Sequence, residues 1–99
     1  KKTATPPLRQ FSKKHPDGHT AINLWELAAK QAKWKTPAEI KAQFSSASFI
    51  AKNRVVFNIG GNKYRLVVAI AYRIGVVYIK FIGTHAQYDV IDAATVEME

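Results

Sequence analysis

The sequence predicts an α+β fold in which N-terminal helices pack on one face of an antiparallel sheet of three to four strands. Three observations support this prediction. Apolar residues recur at helical spacing between about residues 7 and 44. From Arg54 to Asp89, apolar and polar residues alternate instead, as they do in half-buried strands. Turn signals at Gly60-Gly61-Asn62 and Ile74-Gly75 divide this alternating stretch into three consecutive strands.

A chain of 99 residues forms one domain, residues 1–99. Residues 1–7 carry two prolines and little apolar content, so they are predicted to form a polar arm or a weak edge strand. Residues 93–99 form an acidic tail. The absence of cysteine excludes a disulfide framework and a thiolate metal site, and no apolar run approaches the roughly 20 residues of a membrane-spanning helix. We expect a cytoplasmic protein that uses no cofactor and no metal.

Three helices are predicted before the sheet. Pro7 suits the first turn of one helix, and Pro16-Asp17-Gly18 ends it with turn residues. A second helix covers about residues 20–34. Thr36-Pro37-Ala38-Glu39 opens a short third helix, and the serines of residues 45–48 mark a loop after it. In the first helix, the residues at helical spacing are Leu8, Phe11 and His15. The second has one broad apolar stripe, Ala21, Leu24, Trp25, Ala28 and Ala32, which Ile22 and Leu27 widen, and the third has the apolar pair Ile40 and Phe44.

Strand parity assigns the side chains of the three strands to two faces. With two-residue turns at Gly60-Gly61 or Gly61-Asn62, and at Ile74-Gly75, the numbers of paired residues sum to an odd value. Odd positions before a turn then share a face with even positions after it. One face is almost wholly apolar and is predicted to lie under the helices: Val55, Phe57, Ile59, Tyr64, Leu66, Val68, Ile70, Tyr72, Val77, Ile79 and Phe81. The other, called the basic face below, is predicted to be open to solvent and carries Arg54, Val56, Asn58, Lys63, Arg65, Val67, Ala69, Ala71, Tyr78, Lys80, Ile82 and Thr84.

Charge marks the basic face as the candidate functional surface. The net charge of +8 is distributed as +6 in residues 1–35, +6 in residues 36–84 and −4 in residues 85–99. Such an excess suggests an anionic partner, with nucleic acid as the first expectation and a generally basic soluble domain as the alternative. Arg65 and Lys80 occupy interior strand positions, which favours a role in binding or catalysis for both residues. For Lys63, a position on a solvated surface is the preferred explanation. A three-residue bulged loop at Ile74-Gly75 would instead send Lys80 under the helices.

The segment Thr84-His85-Ala86-Gln87-Tyr88-Asp89 follows the strand that carries Lys80. His85 and Tyr88 are three residues apart, so one helical turn would place both on the same side. Metal-free RNA cleavage needs a base for the 2′-hydroxyl proton, cations for the phosphorane charge and an acid for the leaving 5′-oxygen. His, Arg, Lys and Tyr side chains can supply all three. The alternatives are a structural histidine at 85 and a core aromatic at 88.

Three segments resemble the HigB family of type II toxins within the wider RelE-like group. They are Trp34-Lys35-Thr36-Pro37, the block from Arg54 to Val67 with Phe57-Asn58 and Gly60-Gly61-Asn62 in it, and the segment from Gly83 to Asp89. The resemblance runs from about Phe11 to Asp92. It implies a RelE-like α+β fold and an mRNA interferase, an endoribonuclease that cleaves messenger RNA on the translating ribosome. It also implies a partner, the HigA antitoxin, which is a helix-turn-helix protein.

The resemblance implies site residues as well, because RelE-like active sites use cations on central strands with a Tyr or His near the C-terminus. The residues carried over to catalysis are Arg65, Lys80, His85 and Tyr88, with the assignment of acid and base left open. The residues expected to contact RNA are Arg54, Asn58, Lys63 and Tyr78. The chain departs from the family where residues 1–7 are polar, where Gln87 replaces a common acidic residue, and after Asp92. The alternative function is a non-catalytic RNA-binding or translation-regulating module that uses the same face.

Overall fold

A computed structural model of the chain describes residues 6–50, 53–61 and 63–97, and it confirms the α+β fold. The helices are α1 (Pro6–Lys14), α2 (His19–Ala32), α3 (Pro37–Gln43) and α4 (His85–Tyr88), with a 3₁₀ turn at Pro16–Gly18. The strands are β1 (Ser48–Ile50), β2 (Arg54–Ile59), β3 (Tyr64–Ala71) and β4 (Val76–Thr84). They form an antiparallel sheet in the order β1-β2-β3-β4. Residues 1–5 of the predicted arm lie outside the described residues, and its last two residues begin α1.

The apolar stripe predicted for α2 is partly wrong, because Leu24 is 63% exposed and the buried residues of this helix are Ile22, Trp25 and Ala29. The start signal of α3 acts as predicted. The Thr36 hydroxyl oxygen accepts a hydrogen bond from the Glu39 backbone N–H at 3.4 Å and caps α3. The Glu39 carboxylate accepts one from the Lys35 backbone N–H at 2.8 Å. Helix α2 ends slightly before its predicted limit, because Lys33 adopts a left-handed conformation with φ of 51°. Among the described residues, no helix is long and apolar enough to cross a membrane.

Strand β1 occupies part of a predicted loop. The serines of residues 45–48 predict a loop, whereas Ser48, Phe49 and Ile50 pair with β2 in antiparallel register. Three residues are too few for apolar alternation to be recognised in a sequence. This short edge strand supplies the fourth strand of the sheet.

The β2–β3 hairpin has the predicted register. Ile59 pairs with Tyr64, and the Lys63 backbone N–H donates to the Gly60 carbonyl at 3.4 Å. This register has the odd sum that a turn at Gly61-Asn62 requires, although Asn62 itself lies outside the described residues. Gly60 and Gly61 have φ values of 63° and 72°, a region that glycine enters without steric strain.

The β3–β4 connection is longer than predicted but preserves the side-chain faces up to Ile79. Ala71 pairs with Val76, so residues 72–75 form a four-residue loop rather than a two-residue turn at Ile74-Gly75. Both loop lengths give paired numbers with an odd sum. Val77 and Ile79 therefore face the helices as predicted.

A β-bulge at Lys80 reverses the faces of the last residues of β4. Residues 67 and 68 of β3 pair with Phe81 and Ile79, which leaves Lys80 as the extra residue. The prediction is consequently wrong for the residues that follow. Phe81 moves to the basic face, whereas Ile82 enters the core and is 8% exposed. Thr84 pairs with Tyr64, a core residue, and so leaves the basic face as well.

The core lies between the helices and one face of the sheet. Phe57 is 1% exposed, and its ring centre lies 5.3, 6.0 and 5.1 Å from those of Trp25, Trp34 and Phe44. Tyr72 packs against the core while remaining partly exposed. The strand residues of the core confirm the parity prediction for β2 and β3, and they are Val55, Phe57, Ile59, Tyr64, Leu66, Val68 and Ile70.

Candidate functional site

Arg65 lies on the basic face, between Asn58 of β2 and Gly83 of β4. It is paired with both residues, so the neighbouring strands fix its backbone. The Arg65 side chain is half-buried, and its guanidinium carbon lies 5.9 Å from the centre of the Tyr88 ring. A cation at this distance is attracted by the negative face of the ring. The fold thus brings together two of the predicted catalytic residues, which are 23 positions apart in the sequence.

Helix α4 positions His85 and Tyr88 on a single turn after β4. The Thr84 hydroxyl oxygen accepts a hydrogen bond from the Gln87 backbone N–H at 3.2 Å. The Gln87 side-chain oxygen accepts one from the Thr84 backbone N–H at 2.9 Å, which completes a capping box. The His85 backbone N–H donates to the Lys63 carbonyl at 3.0 Å and ties α4 to the β2–β3 hairpin. Gln87 therefore has a structural role that its amide fulfils without charge.

Gly83 allows α4 to lie close to the sheet. A Cβ atom at this position would lie 2.6 Å from the Phe81 ring and 2.7 Å from the Gln87 side-chain oxygen. The centre of the Phe81 ring lies 6.5 Å from that of Tyr88. Phe81 contacts Tyr88 on the basic face because the bulge has moved it there, which parity alone did not predict.

His85 has a partner that sequence reasoning missed. Its Nδ1 lies 3.0 Å from an oxygen of Asp89, four residues later. A carboxylate at Nδ1 favours a proton on that nitrogen and leaves Nε2 as the proton acceptor. The spacing of four residues was the available signal, since such pairs lie on one side of a helical turn.

Arg54, Lys80 and the tail residue Glu97 form a second cluster on the basic face. One Glu97 oxygen lies 2.7 Å from an Arg54 nitrogen and the other 2.8 Å from the Lys80 ammonium. Arg54 also donates to the carbonyls of Ala93 and Val96, at 3.0 and 2.6 Å. The Lys80 ammonium, followed by Arg54, holds the pKa of the Glu97 carboxyl below its ordinary value. Lys80 therefore lies on the basic face as predicted, and not under the helices.

The C-terminal segment covers part of the basic face. Arg54 is 5% exposed, since residues 93–97 surround its guanidinium. Val56 and Val67 belong to the same face by register and are also buried. The prediction of a face open to solvent is therefore wrong in this region. No sequence pattern indicated the tail contact, which joins Arg54 to a residue 43 positions later.

Tyr78 and Lys63 are the exposed members of the four predicted RNA contacts. The Tyr78 ring is 47% exposed, and its centre lies 5.8 Å from the Lys80 ammonium. The Lys63 ammonium lies 3.1 Å from a carboxylate oxygen of Asp17, whose other oxygen accepts a hydrogen bond from the Tyr64 hydroxyl. Lys63 thus helps to hold the 3₁₀ turn against the hairpin. RNA binding by all four residues, Arg54 and Asn58 included, stays a prediction.

The Asp17 contacts are expected to make folding stability depend on pH. Hydrogen bonds from Tyr64 and then Lys63 lower the pKa of Asp17 in the folded protein. Such a carboxyl stabilises the fold above its unfolded pKa of about 3.9, and the stabilisation is lost as the pH falls through the folded pKa. The difference in unfolding free energy between wild type and Asp17→Asn should therefore shrink in urea titrations as the pH is lowered from about 6 to about 2. A constant difference across this range would contradict the assignment.

The basic face therefore presents two neighbouring groups of side chains. In the first group Arg65 contacts the Tyr88 ring, and His85 lies three residues before Tyr88 on α4. The second group contains Lys80 and Arg54. Residues 65 and 67 of β3 lie on the same face, about 7 Å apart, and Lys80 is inserted opposite residue 67. In such an arrangement the cations can bind a phosphodiester, and the histidine and tyrosine can transfer protons at its oxygens.

Comparison with known proteins identifies the family. Residues 19–91 match the HigB toxin family, the RelE-like toxic component of a toxin-antitoxin system. The chain is 29% identical over 89 residues to the mRNA interferase toxin HigB of Escherichia coli K12, covering 87% of this chain and 85% of that protein. It is 27% identical over 85 residues to the mRNA interferase HigB of Escherichia coli O6:H1 strain CFT073, covering 84% and 82%. The resemblance of the sequence motifs is thereby confirmed, and the chain belongs to the HigB toxin family.

Proposed function

We propose that this chain is a toxin that cleaves messenger RNA as an endoribonuclease. The observation that carries the proposal is that the Arg65 guanidinium lies beside the ring of Tyr88, which is on the same helical turn as His85. Two relatives that cover most of the chain carry the name mRNA interferase HigB, which supports the same activity. A net charge of +8 also favours binding of an anionic polymer, a class that includes RNA.

The proposed reaction is attack of a ribose 2′-hydroxyl on the adjacent phosphorus, with departure of the 5′-oxygen. Arg65 and Lys80 stabilise the negative charge that develops on the phosphorane oxygens. His85, with Asp89 at its Nδ1, exchanges a proton through Nε2. Tyr88 orients the substrate or performs the second proton transfer. These four side chains supply a metal-independent route by acid–base catalysis.

The partners follow from the family and the proposed substrate. The family is the toxic component of a toxin-antitoxin system, so an antitoxin is its partner. We infer that this antitoxin is a HigA-type helix-turn-helix protein and that the message is cleaved on the translating ribosome, in the cytoplasm. Phosphate contacts by Arg and Lys release counterions, so binding is expected to weaken as salt rises.

Mapping the 5′ ends of messages in a reconstituted translation system tests the proposed function. Wild-type protein is expected to create new ends when ribosomes translate, and His85→Ala to lower their yield at least about tenfold. His19→Ala is the matched control, because His19 bonds to Ser12 and Asn23 on the helical side of the molecule. Wild-type protein that bound RNA or ribosomes without producing new ends would be a non-catalytic RNA-binding module.

A further inference from the structure

We propose that Arg54 and Lys80 form an anion site that accepts either the Glu97 carboxylate or a phosphate group of bound RNA. The C-terminal segment, residues 92–97, is then an intramolecular competitor of RNA on the basic face. The inference rests on the proposed function, since it takes RNA as the ligand. It goes further by assigning a role to a segment that follows the part of the chain matched to the family, residues 19–91.

The Glu97 carboxylate occupies the site as a phosphate group would. Its two oxygens take one cation each, Arg54 at 2.7 Å and Lys80 at 2.8 Å. The two non-bridging oxygens of a phosphodiester present the same pair of charged acceptors. The tail offers the site a single carboxylate, whereas phosphodiester groups recur along RNA. A bound RNA strand therefore replaces the Glu97 contact and adds further phosphate contacts.

The two cations are brought together by the sheet itself. Arg54 pairs with Ala69, and Ala69 pairs with Tyr78, two residues before Lys80. Lys80 lies between the paired residues Ile79 and Phe81 and on the basic face, where its side chain is 24% exposed. Strand pairing therefore fixes the backbone positions of both cations whether or not the tail is bound.

The tail contact has the properties of a contact that can be displaced. Within residues 92–97 the structure contains turns but no helix or strand, and none of these residues belongs to the core cluster. The Glu97 side chain is 60% exposed, and exposed ion pairs contribute little to stability. The buried Arg54 side chain makes the contact stronger than a wholly exposed one, so the tail lowers RNA affinity without abolishing binding.

Binding of a non-cleavable RNA to Glu97→Gln tests the inference. The probe is a fluorescent ten-nucleotide 2′-O-methyl oligouridylate, which lacks the 2′-hydroxyl proton and cannot be cleaved. Glu97→Gln is expected to bind it about fivefold more tightly than wild type, and the difference should shrink as salt rises. Glu39→Gln is the matched control, since it removes the same charge from α3 and keeps an oxygen to accept from the Lys35 backbone.

A second measurement reports on the tail directly. The amide NMR signals of Thr95 and Val96 in wild type should shift when the probe is added, because a bound phosphate group would displace the tail from Arg54. Equal affinities for Glu97→Gln and Glu39→Gln, unmoved tail signals, or no binding of the probe by either protein would each overturn the inference. If wild type cleaved messages and Glu97→Gln did not change the affinity for the probe, the result would contradict this inference and leave the proposed function standing. If Glu97→Gln bound the probe more tightly and wild type cleaved no message, the result would contradict only the proposed function.

Discussion

Replacing Arg65 by alanine is expected to slow RNA cleavage about 100- to 1000-fold, the range found when one preorganised charge-stabilising donor is removed. Arg65 is held by pairing with Asn58 and Gly83, and its guanidinium lies against Tyr88, so its charge is fixed before substrate binds. A fixed cation stabilises the developing phosphorane charge without reorganising. The measurement is single-turnover cleavage of a message on programmed ribosomes. Circular dichroism should show an intact fold, because Arg65 lies outside the core cluster.

Arg73→Ala is the matched control for this prediction. It removes the same side chain and the same charge from the exposed β3–β4 loop, at the opposite end of β3 from Arg65. Long-range attraction of RNA depends on net charge, which both variants lower equally. Arg73→Ala is therefore expected to lose less than about threefold in cleavage rate. Equal losses in the two variants would mean that Arg65 acts only through the net charge of the protein.

The parts of the fold that could be predicted depend on local signals or on parity. The Thr36 cap of α3 is local, because a hydroxyl three residues before Glu39 satisfies a free backbone N–H of the first turn. The error in loop length at Ile74-Gly75 did not change the predicted faces, because loops of two and of four residues both give paired residue numbers with an odd sum. The faces of Val77 and Ile79 were therefore correct although the turn was not.

The parts that could not be predicted depend on a single insertion or on distant contacts. The bulge at Lys80 exchanges the faces of Phe81 and Ile82, and both are apolar, so neither arrangement disturbs the hydrophobic pattern of β4. The exchange matters for the site because it puts an aromatic ring beside Tyr88. The contact of Glu97 with Arg54 spans 43 positions and involves a segment without periodicity. Only the tertiary fold brings these residues together.

Replacing Phe57 by alanine is expected to destabilise the protein by about 3–5 kcal/mol, the usual range for a buried phenylalanine. Phe57 is 1% exposed and contacts the rings of Trp25, Trp34 and Phe44, so its loss leaves a cavity that these rings cannot easily fill. Urea unfolding measures the change. Phe49→Ala in β1, where the side chain is 40% exposed, is the control and should lose less than about 1 kcal/mol. Equal losses would contradict a core centred on this aromatic group. A loss of stability confined to Phe57→Ala would show that the sheet is stabilised mainly through the face that packs on the helices. Arg65 and Lys80 lie on the opposite face.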